Sequence, residues 1–219
     1  MENYTITVLG TGVMGTAVVS AILKADFKPY PSKIICCTGS EKLALKLQNT
    51  LAKESDIIET SFGAESNKKA TAAADVIILG CKPYLVHDVY EQVKDSLTGK
   101  QLLVSLTAGL TVEQLQIFSP YVAKLMTNTP AQWGFGMAAV AFSPEAEEKY
   151  EDLVMNLAKP VGSAVKIPEK NMAAALSLIG SGPAFYCLML ESVVDGGVKM
   201  GLPHDVAREM AIKVMEGTA

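Results

Sequence analysis

The first residues whose spacing carries chemistry are Gly10, Gly12 and Gly15, arranged as Gly-x-Gly-x-x-Gly. An apolar, β-branched run, Tyr4–Leu9, leads into them, and Ala17–Lys24, rich in Ala, Val, Ile and Leu, follows. Glycines alone would mark only a turn. A strand, a glycine turn and a helix in immediate succession form a dinucleotide-binding fingerprint. Gly10 would permit the tight turn, Gly12 would let backbone approach a pyrophosphate, and Gly15 would let the helix lie close on the strand. The helix N-terminus would then offer free N–H groups and a partial positive charge to the phosphates. Leu9, Thr11, Val13 and Met14 complete this predicted contact set.

Residues for acid–base or metal chemistry are scarce. His87 and His204 lie far apart with no acidic partner pattern, so neither a serine-type triad nor a zinc site is expected. Cys36, Cys37, Cys81 and Cys187 sit at no metal-ligand spacing and form no Cys-x-x-Cys pair, so no metal is expected. They read as reduced thiols of a cytoplasmic protein, three of them inside apolar runs. A net charge of −4 with scattered lysines lacks the concentrated basic face that nucleic acid requires. No uninterrupted apolar run reaches the roughly 18 residues of a membrane span, and no secretory signal opens the chain, so no membrane partner is expected. The 219 residues, 49% of them hydrophobic, suit one medium domain and a smaller one.

The elements that must position the glycines follow in order. Pro29–Ser32 breaks the chain, and Lys33–Cys37 reads as a second parallel strand ending at Thr38-Gly39-Ser40. An Asp or Glu at this end would bind the ribose hydroxyls of NAD. None stands there before Glu41. Thr38 and Ser40, with Lys42, therefore favour NADP(H); Glu41 swinging back to the ribose would allow NAD(H) instead. Glu41–Ala52 has helical periodicity, Asp56–Ser61 reads as a short strand and Asn67–Ala74 as a short helix. Asp75–Cys81 is a buried-strand run, and Lys82-Pro83 follows it with an extended turn at the ligand-binding edge of the sheet. Lys82 there is either a cofactor contact or a solvated loop lysine.

Tyr84–Ser96 reads as a helix and Gln101–Leu106 as a strand ending in small residues. Thr111 caps a helix over 113–118. Val122–Met126 is a further strand, ending in Thr127-Asn128-Thr129-Pro130. Strand candidates Ala138–Phe142 and Ser163–Ile167 flank a helix, Pro144–Ala158. The alternation predicts an α/β fold with a doubly wound Rossmann-type parallel sheet over residues 1–167. Residues 168–219 read as an all-helical domain. Gly180-Ser181-Gly182-Pro183 interrupts it, and Ser181 would cap the restarting helix or, alternatively, touch substrate. Ala184–Val194 is too apolar for so small a domain to bury, which predicts a partner subunit over Leu188, Leu190 and Val193.

Five stretches carry a family likeness: GTGVMG (10–15), LGCKP (79–83), SLTAG (105–109), MTNTP (126–130) and, most specific, GSGPAFYCLMLESVVDGGVKMGLP (180–203). Over essentially its whole length the chain resembles the pyrroline-5-carboxylate reductases, which catalyse the last step of proline biosynthesis, and fungal members above all. The resemblance implies a Rossmann domain followed by a helical dimerisation domain, with homodimers assembled as decamers. It carries cofactor contacts onto residues 10–15, Thr38, Asn67 (near the adenosine), Gly80, Cys81, Lys82 and Pro83, and Leu106, Thr107 and Ala108 beside the nicotinamide ribose. Family members continue with a helix pair and a Pro-Gly-Gly loop over the substrate, for which this sequence has no counterpart before Ala219. On that basis NADPH binding and turnover should be separable in this chain, with reduction weak.

The implied substrate is a cyclic imino acid. Protonated on nitrogen it is already an electrophile, so positioning can supply most of the acceleration, and no catalytic base is assigned. Thr127 and Asn128 would line the substrate side, or else cap the turn ahead of Pro130. A β-hydroxyacid-type dehydrogenase shares the two-part build, but its alcohol oxidation needs a base, for which Lys166 or Lys170 would have to serve. A non-catalytic NADP(H)-binding scaffold is the third reading.

Overall fold

The fold follows from strands that are buried on both faces. A computed structural model describes residues 3–51 and 56–219. Eight strands form one sheet in the order β3-β2-β1-β4-β5-β6-β7-β8. They are β1 (Thr5–Leu9), β2 (Lys33–Thr38), β3 (Ile58–Phe62), β4 (Val76–Leu79), β5 (Leu102–Ser105), β6 (Val122–Met126), β7 (Gly136–Phe142) and β8 (Gly162–Lys166). The central strands read as apolar runs because helices cover both sides. Ile6 and Val8 of β1 pack into one core with Ile34, Val76 and Val104; Leu9 packs into the other with Ile77, Leu79 and Leu103.

The crossover helices are α1 (Val13–Leu23), α2 (Glu41–Thr50), α3 (Ala64–Ala72), α4 (Val86–Val93), α5 (Val112–Leu115) and α6 (Pro144–Ala158). Ala52, the expected end of the second helix, lies outside the described residues. α2 starts on Ser40, whose side chain accepts from Leu43 N. α5 starts on the expected Thr111, in a full capping box with Gln114, but is shorter than its sequence pattern.

β1 to β6 run parallel, as the alternation predicted, but β7 runs antiparallel to β6. The reason is length. Residues 127–135 are fewer than the dozen or so a parallel crossover needs. They fold as a 3-10 turn, Thr129–Trp133, closed by Gly134 in the left-handed region at φ 77°. β8 then pairs parallel with β7.

Beyond the sheet, α7 (Met172–Leu176), a π-helical turn (Ser177–Ser181), α8 (Gly182–Lys199) and α9 (His204–Thr218) complete the chain. The expected break at Gly180–Pro183 is therefore a π turn inside one helical run, Glu169–Lys199. The widened turn lies just ahead of Pro183, whose missing N–H interrupts the helical hydrogen-bond ladder. Ser181 is correspondingly no cap. Its backbone is helical, at φ −92° and ψ −26°, and its side chain makes no capping bond. This run is long and apolar enough to cross a membrane by length and composition alone, with 11% of the relevant window buried. No uninterrupted apolar run within it reaches a membrane span, as expected; the helix attains that length because it continues through Gly, Ser and Pro.

Met172 and Ile179 seat the run on Ala139 and Ala141 of β7. Glu169 pins it with charge: its carboxylate accepts from Lys124 Nζ at 3.1 Å and from Val112 N at 2.6 Å. Leu190 packs partly against Val194, Ala207 and Ala211 between α8 and α9, and its remaining surface lines the open apolar groove between these helices. Leu188 and Val193 do stand outward, 64% and 58% exposed.

One buried side chain ties β6 to α6. Ser143 is fully buried; its hydroxyl donates to Pro120 O at 2.8 Å and accepts from Val122 N and Ala146 N. Ser143→Ala strands all three backbone groups and should cost roughly 1–3 kcal/mol. Urea unfolding read by circular dichroism measures it. A change within error would mean that water replaces the hydroxyl without loss.

Candidate active site: a dinucleotide cleft at the carboxyl edge of the sheet

The cleft is built where the ends of β1 and β4 meet. Gly10 has φ 93°, a conformation that disfavours side chains, and a Cβ placed on it would sit 2.6 Å from Cys81 N. A Cβ on Gly80 would sit 2.7 Å from Gly10 O, and one on Gly15 3.0 Å from the same atom. Three glycines thus let two loops and a helix touch through backbone. Gly10 does more than the turn assigned to it from sequence, while Gly15 has the helix-to-strand role expected.

Gly12 differs: nothing lies within 4 Å of its missing Cβ, because it faces open cleft. It is the N-cap of α1, and the first helical bond runs from Thr16 N to Gly12 O. The N–H groups of Val13, Met14 and Gly15 are therefore left to an outside acceptor, at the positive end of the helix. These residues fit a pyrophosphate. The cleft they open has a volume of about 580 Å³.

Most predicted contacts converge on this cleft. Gly10, Thr11, Gly12, Val13, Met14, Thr38, Asn67, Gly80, Cys81, Lys82, Pro83, Leu106, Thr107 and Ala108 all line it. Lys82 sits in extended backbone ahead of Pro83, as the sequence required, and is exposed at the rim. Three predicted contacts do not line it. Leu9 is buried beneath in the core, Gly15 is packed under the first loop, and the Ser40 side chain is occupied in capping α2. Glu41 does not line it either, so the carboxylate that would have favoured NAD(H) is absent from the wall.

Thr38 is placed as expected but acts differently. Its Oγ1 donates to Ser40 O at 2.8 Å, with Ser61 O at 3.3 Å, so its proton is already committed. A phosphate beside β2 would depend on the backbone N–H groups of the Gly39 turn instead. Cys81 is a packing thiol: burial pushes its pKa up to about 11, which keeps it protonated at neutral pH.

Sequence reasoning missed a wall of the cleft formed by Leu85, Asp88, Val89 and Gln92, as well as Cys37, Gly39 and Leu43. The first four recur at three- and four-residue spacing along one face of the segment leading through α4, a signal present in the sequence. The predicted substrate residues lie elsewhere. Thr127 Oγ1, at the end of β6, is buried without a partner. Asn128 lines a separate groove of about 950 Å³ against α7 and the π turn, while its Oδ1 accepts from Met137 N. Ser181 is exposed and lines neither space.

Lys166 offers no base for alcohol oxidation. It is paired with Glu151 at 2.7 Å and Glu147 at 3.0 Å, and those hydrogen bonds raise its pKa, the wrong direction for accepting a proton. Lys170 is exposed on the 3-10 turn Glu169–Asn171.

Sheet order, glycine cradle and appended helices define a dinucleotide-dependent oxidoreductase with a helical assembly region. Comparison with known proteins gives the particular family. Residues 169–219 match the family model described as pyrroline-5-carboxylate reductase dimerisation, and residues 5–109 match one described as NADP oxidoreductase coenzyme F420-dependent. The chain is 44% identical to the pyrroline-5-carboxylate reductase of Kluyveromyces lactis, with 100% of this chain and 80% of that protein covered. It is 34% identical to that of Schizosaccharomyces pombe, over 96% and 78%. The crystal structure of Plasmodium falciparum pyrroline carboxylate reductase with NADP bound superposes with a TM-score of 0.81 at 25% identity, over 99% of this chain and 78% of that one. The chain belongs to the pyrroline-5-carboxylate reductase family.

The glycine contacts make a stability prediction. Gly10→Ala forces an alanine into a left-handed conformation against Cys81 and should cost at least ~1–2 kcal/mol. Gly12→Ala, at φ −87° with open space around it but on the N-cap of α1, should cost less, roughly 0.5 kcal/mol. Equal midpoints for both variants would show that the two loops can separate without loss.

Proposed function

We propose that this protein reduces 1-pyrroline-5-carboxylate to L-proline with NADPH, the last step of proline biosynthesis. The observation that carries the reading is the match to the Kluyveromyces lactis reductase over the whole chain, glycine cradle included. The bound NADPH supplies the hydride; the protein's part is to hold and orient. The free N–H groups at the start of α1 would hold the pyrophosphate, Gly39 and its neighbours would meet the adenosine ribose, and Leu106–Ala108 would take the nicotinamide side. Lys82 adds positive charge at the rim.

The substrate nitrogen carries its own proton in the reactive iminium form, so the chain need not donate one to it as the hydride arrives. That agrees with a cleft wall without histidine and with Lys166 tied up elsewhere. Thr127, whose buried hydroxyl has no partner, and Asn128, whose amide nitrogen is the group left after bracing Met137, are the proposed substrate-side residues. Ser181 is a weaker member of that set, because nothing in the fold aims it at either space. Four free cysteines suit a reducing compartment such as the cytoplasm. Following NADPH absorbance with and without pyrroline-5-carboxylate tests the function. Tight NADPH binding without substrate-dependent oxidation would favour the non-catalytic scaffold instead.

NADPH preference rests on backbone at the end of β2. Gly39→Asp places a carboxylate where a 2′-phosphate would lie, with open space for the side chain. It should shift the ratio of NADH to NADPH affinity by about tenfold or more. Titration of both nucleotides measures this, and an unmoved ratio would place the phosphate elsewhere.

The protein is an oligomer built on its helical region. We propose a dimer as the unit and a ring of five dimers as the full assembly. Two separate apolar grooves support more than one interface, one of about 510 Å³ between α8 and α9 and the other beside β7 and β8. Leu188→Glu should dissociate the dimer in analytical sedimentation, since Leu188 points away from its own chain. An unmutated chain that sediments as a well-folded monomer would overturn the assembly.

A further inference from the structure

The loop that follows β5 and lines the cleft is tied at both ends. At its start, Leu106 N donates to Leu79 O at 2.9 Å, and the hydroxyls of Ser105 and Thr107 bond each other. At its far end Thr111 caps α5, a helix of only four residues. A single turn holds itself poorly, because nucleating it fixes several residues for very few bonds. The Thr111 hydroxyl accepts from Gln114 N, so the Val112 N–H at the start of the helix has no partner within its own segment. Glu169 supplies one from 57 residues away, accepting from Val112 N at 2.6 Å. The same carboxylate oxygen accepts from Lys124 Nζ at 3.1 Å, and the Lys124 side chain is only 11% exposed. Glu169 is also where the match to the dimerisation model begins.

We propose that Glu169 is a positioning residue for the dinucleotide. From the helical region it braces α5, and through α5 the stretch Leu106–Ala108 that meets the nicotinamide half. This rests on the NADPH reading of the cleft. Lys124 aims the carboxylate at Val112. Without the brace, the far end of the loop is ordered only when the nicotinamide half binds, and that ordering is subtracted from the affinity. The adenosine half, placed at Gly39 beyond the pyrophosphate, gains nothing from the loop.

The test is calorimetric titration with NADPH and with adenosine 2′,5′-bisphosphate, which carries the adenosine half alone. Deleting only the carboxylate would strand a buried lysine and risk the fold. The brace is therefore removed as Lys124→Met/Glu169→Met and compared with Lys124→Met, which keeps the bond to Val112. The double variant should bind NADPH at least about threefold more weakly than Lys124→Met, with the bisphosphate bound equally by the two. Glu169→Gln keeps an oxygen for Val112 N and should retain the unmutated ratio of the two affinities. A merely structural contact would not single out one half of the ligand, so an equal loss of both ligands, or no loss, overturns the proposal. Glu169→Gln as impaired toward NADPH as the double variant would overturn it too. An unmutated protein that binds neither ligand would remove the NADPH reading itself, and the brace with it.

Discussion

The contact on which the site depends is the meeting of two loops at Gly10, Gly80 and Cys81. β1 and β4 are neighbours in the sheet, paired from Ile6 with Val76 to Leu9 with Leu79. Their chains must part at the carboxyl edge for α1 and α4 to cover opposite faces. The gap between the parting loops is the cleft, and its floor is only as narrow as the backbones allow. A Cβ at Gly10 or Gly80 would lie under 3 Å from the opposite loop, so side chains there would push the floor apart. Further bonds lock this geometry: Gly10 N and Thr11 N both donate to Cys37 O, and Gly80 N donates to Leu9 O. The pyrophosphate site is therefore a consequence of sheet order and three missing side chains, with no charged residue required to create it.

The same economy of side chains runs along the cleft. Thr38 uses its proton to fix the turn after β2, Ser40 caps α2, and the hydroxyls of Ser105 and Thr107 bond each other at 2.5 Å. Polar groups that a sequence reading offers to the ligand are spent on shaping the loops. What they shape is backbone, and backbone N–H groups and helix termini then meet the ligand. Asn67 differs in keeping an acceptor with no internal partner, as does the Thr127 hydroxyl outside the cleft.

How much of this could be read from sequence depends on the range of the interaction. The glycine fingerprint, the parallel strands and the helix over Pro144–Ala158 are local patterns, and they stand where periodicity placed them. The π turn was less readable: Gly-Ser-Gly-Pro looks like a break, and only packing against β7 shows that the helix continues through it. Leu190 illustrates the same limit. Its helix is apolar on several faces, and composition alone cannot say which face α9 covers. The wall residues Leu85, Asp88, Val89 and Gln92 do share one helical face, but that spacing is equally that of any helix packed on a sheet, and only the fold shows that the face lines the cleft.

The helical region shows why the family needs assembly to finish its structure. α8 carries Phe185, Tyr186, Leu188, Met189 and Val193, all more than half exposed, while few of its residues reach a core of this chain. An apolar stripe of that extent stays soluble only when another surface covers it, which is what a match to a dimerisation model over residues 169–219 implies. The stripe is continuous with the groove holding Asn128, since Tyr186 and Cys187 line both stripe and groove. Burial of the stripe would therefore also close water out of that groove, which shares no lining residue with the dinucleotide cleft. Excluding water there would strengthen any polar contact that Asn128 makes. A surface that covers the stripe in an oligomer therefore also covers the groove that Asn128 lines.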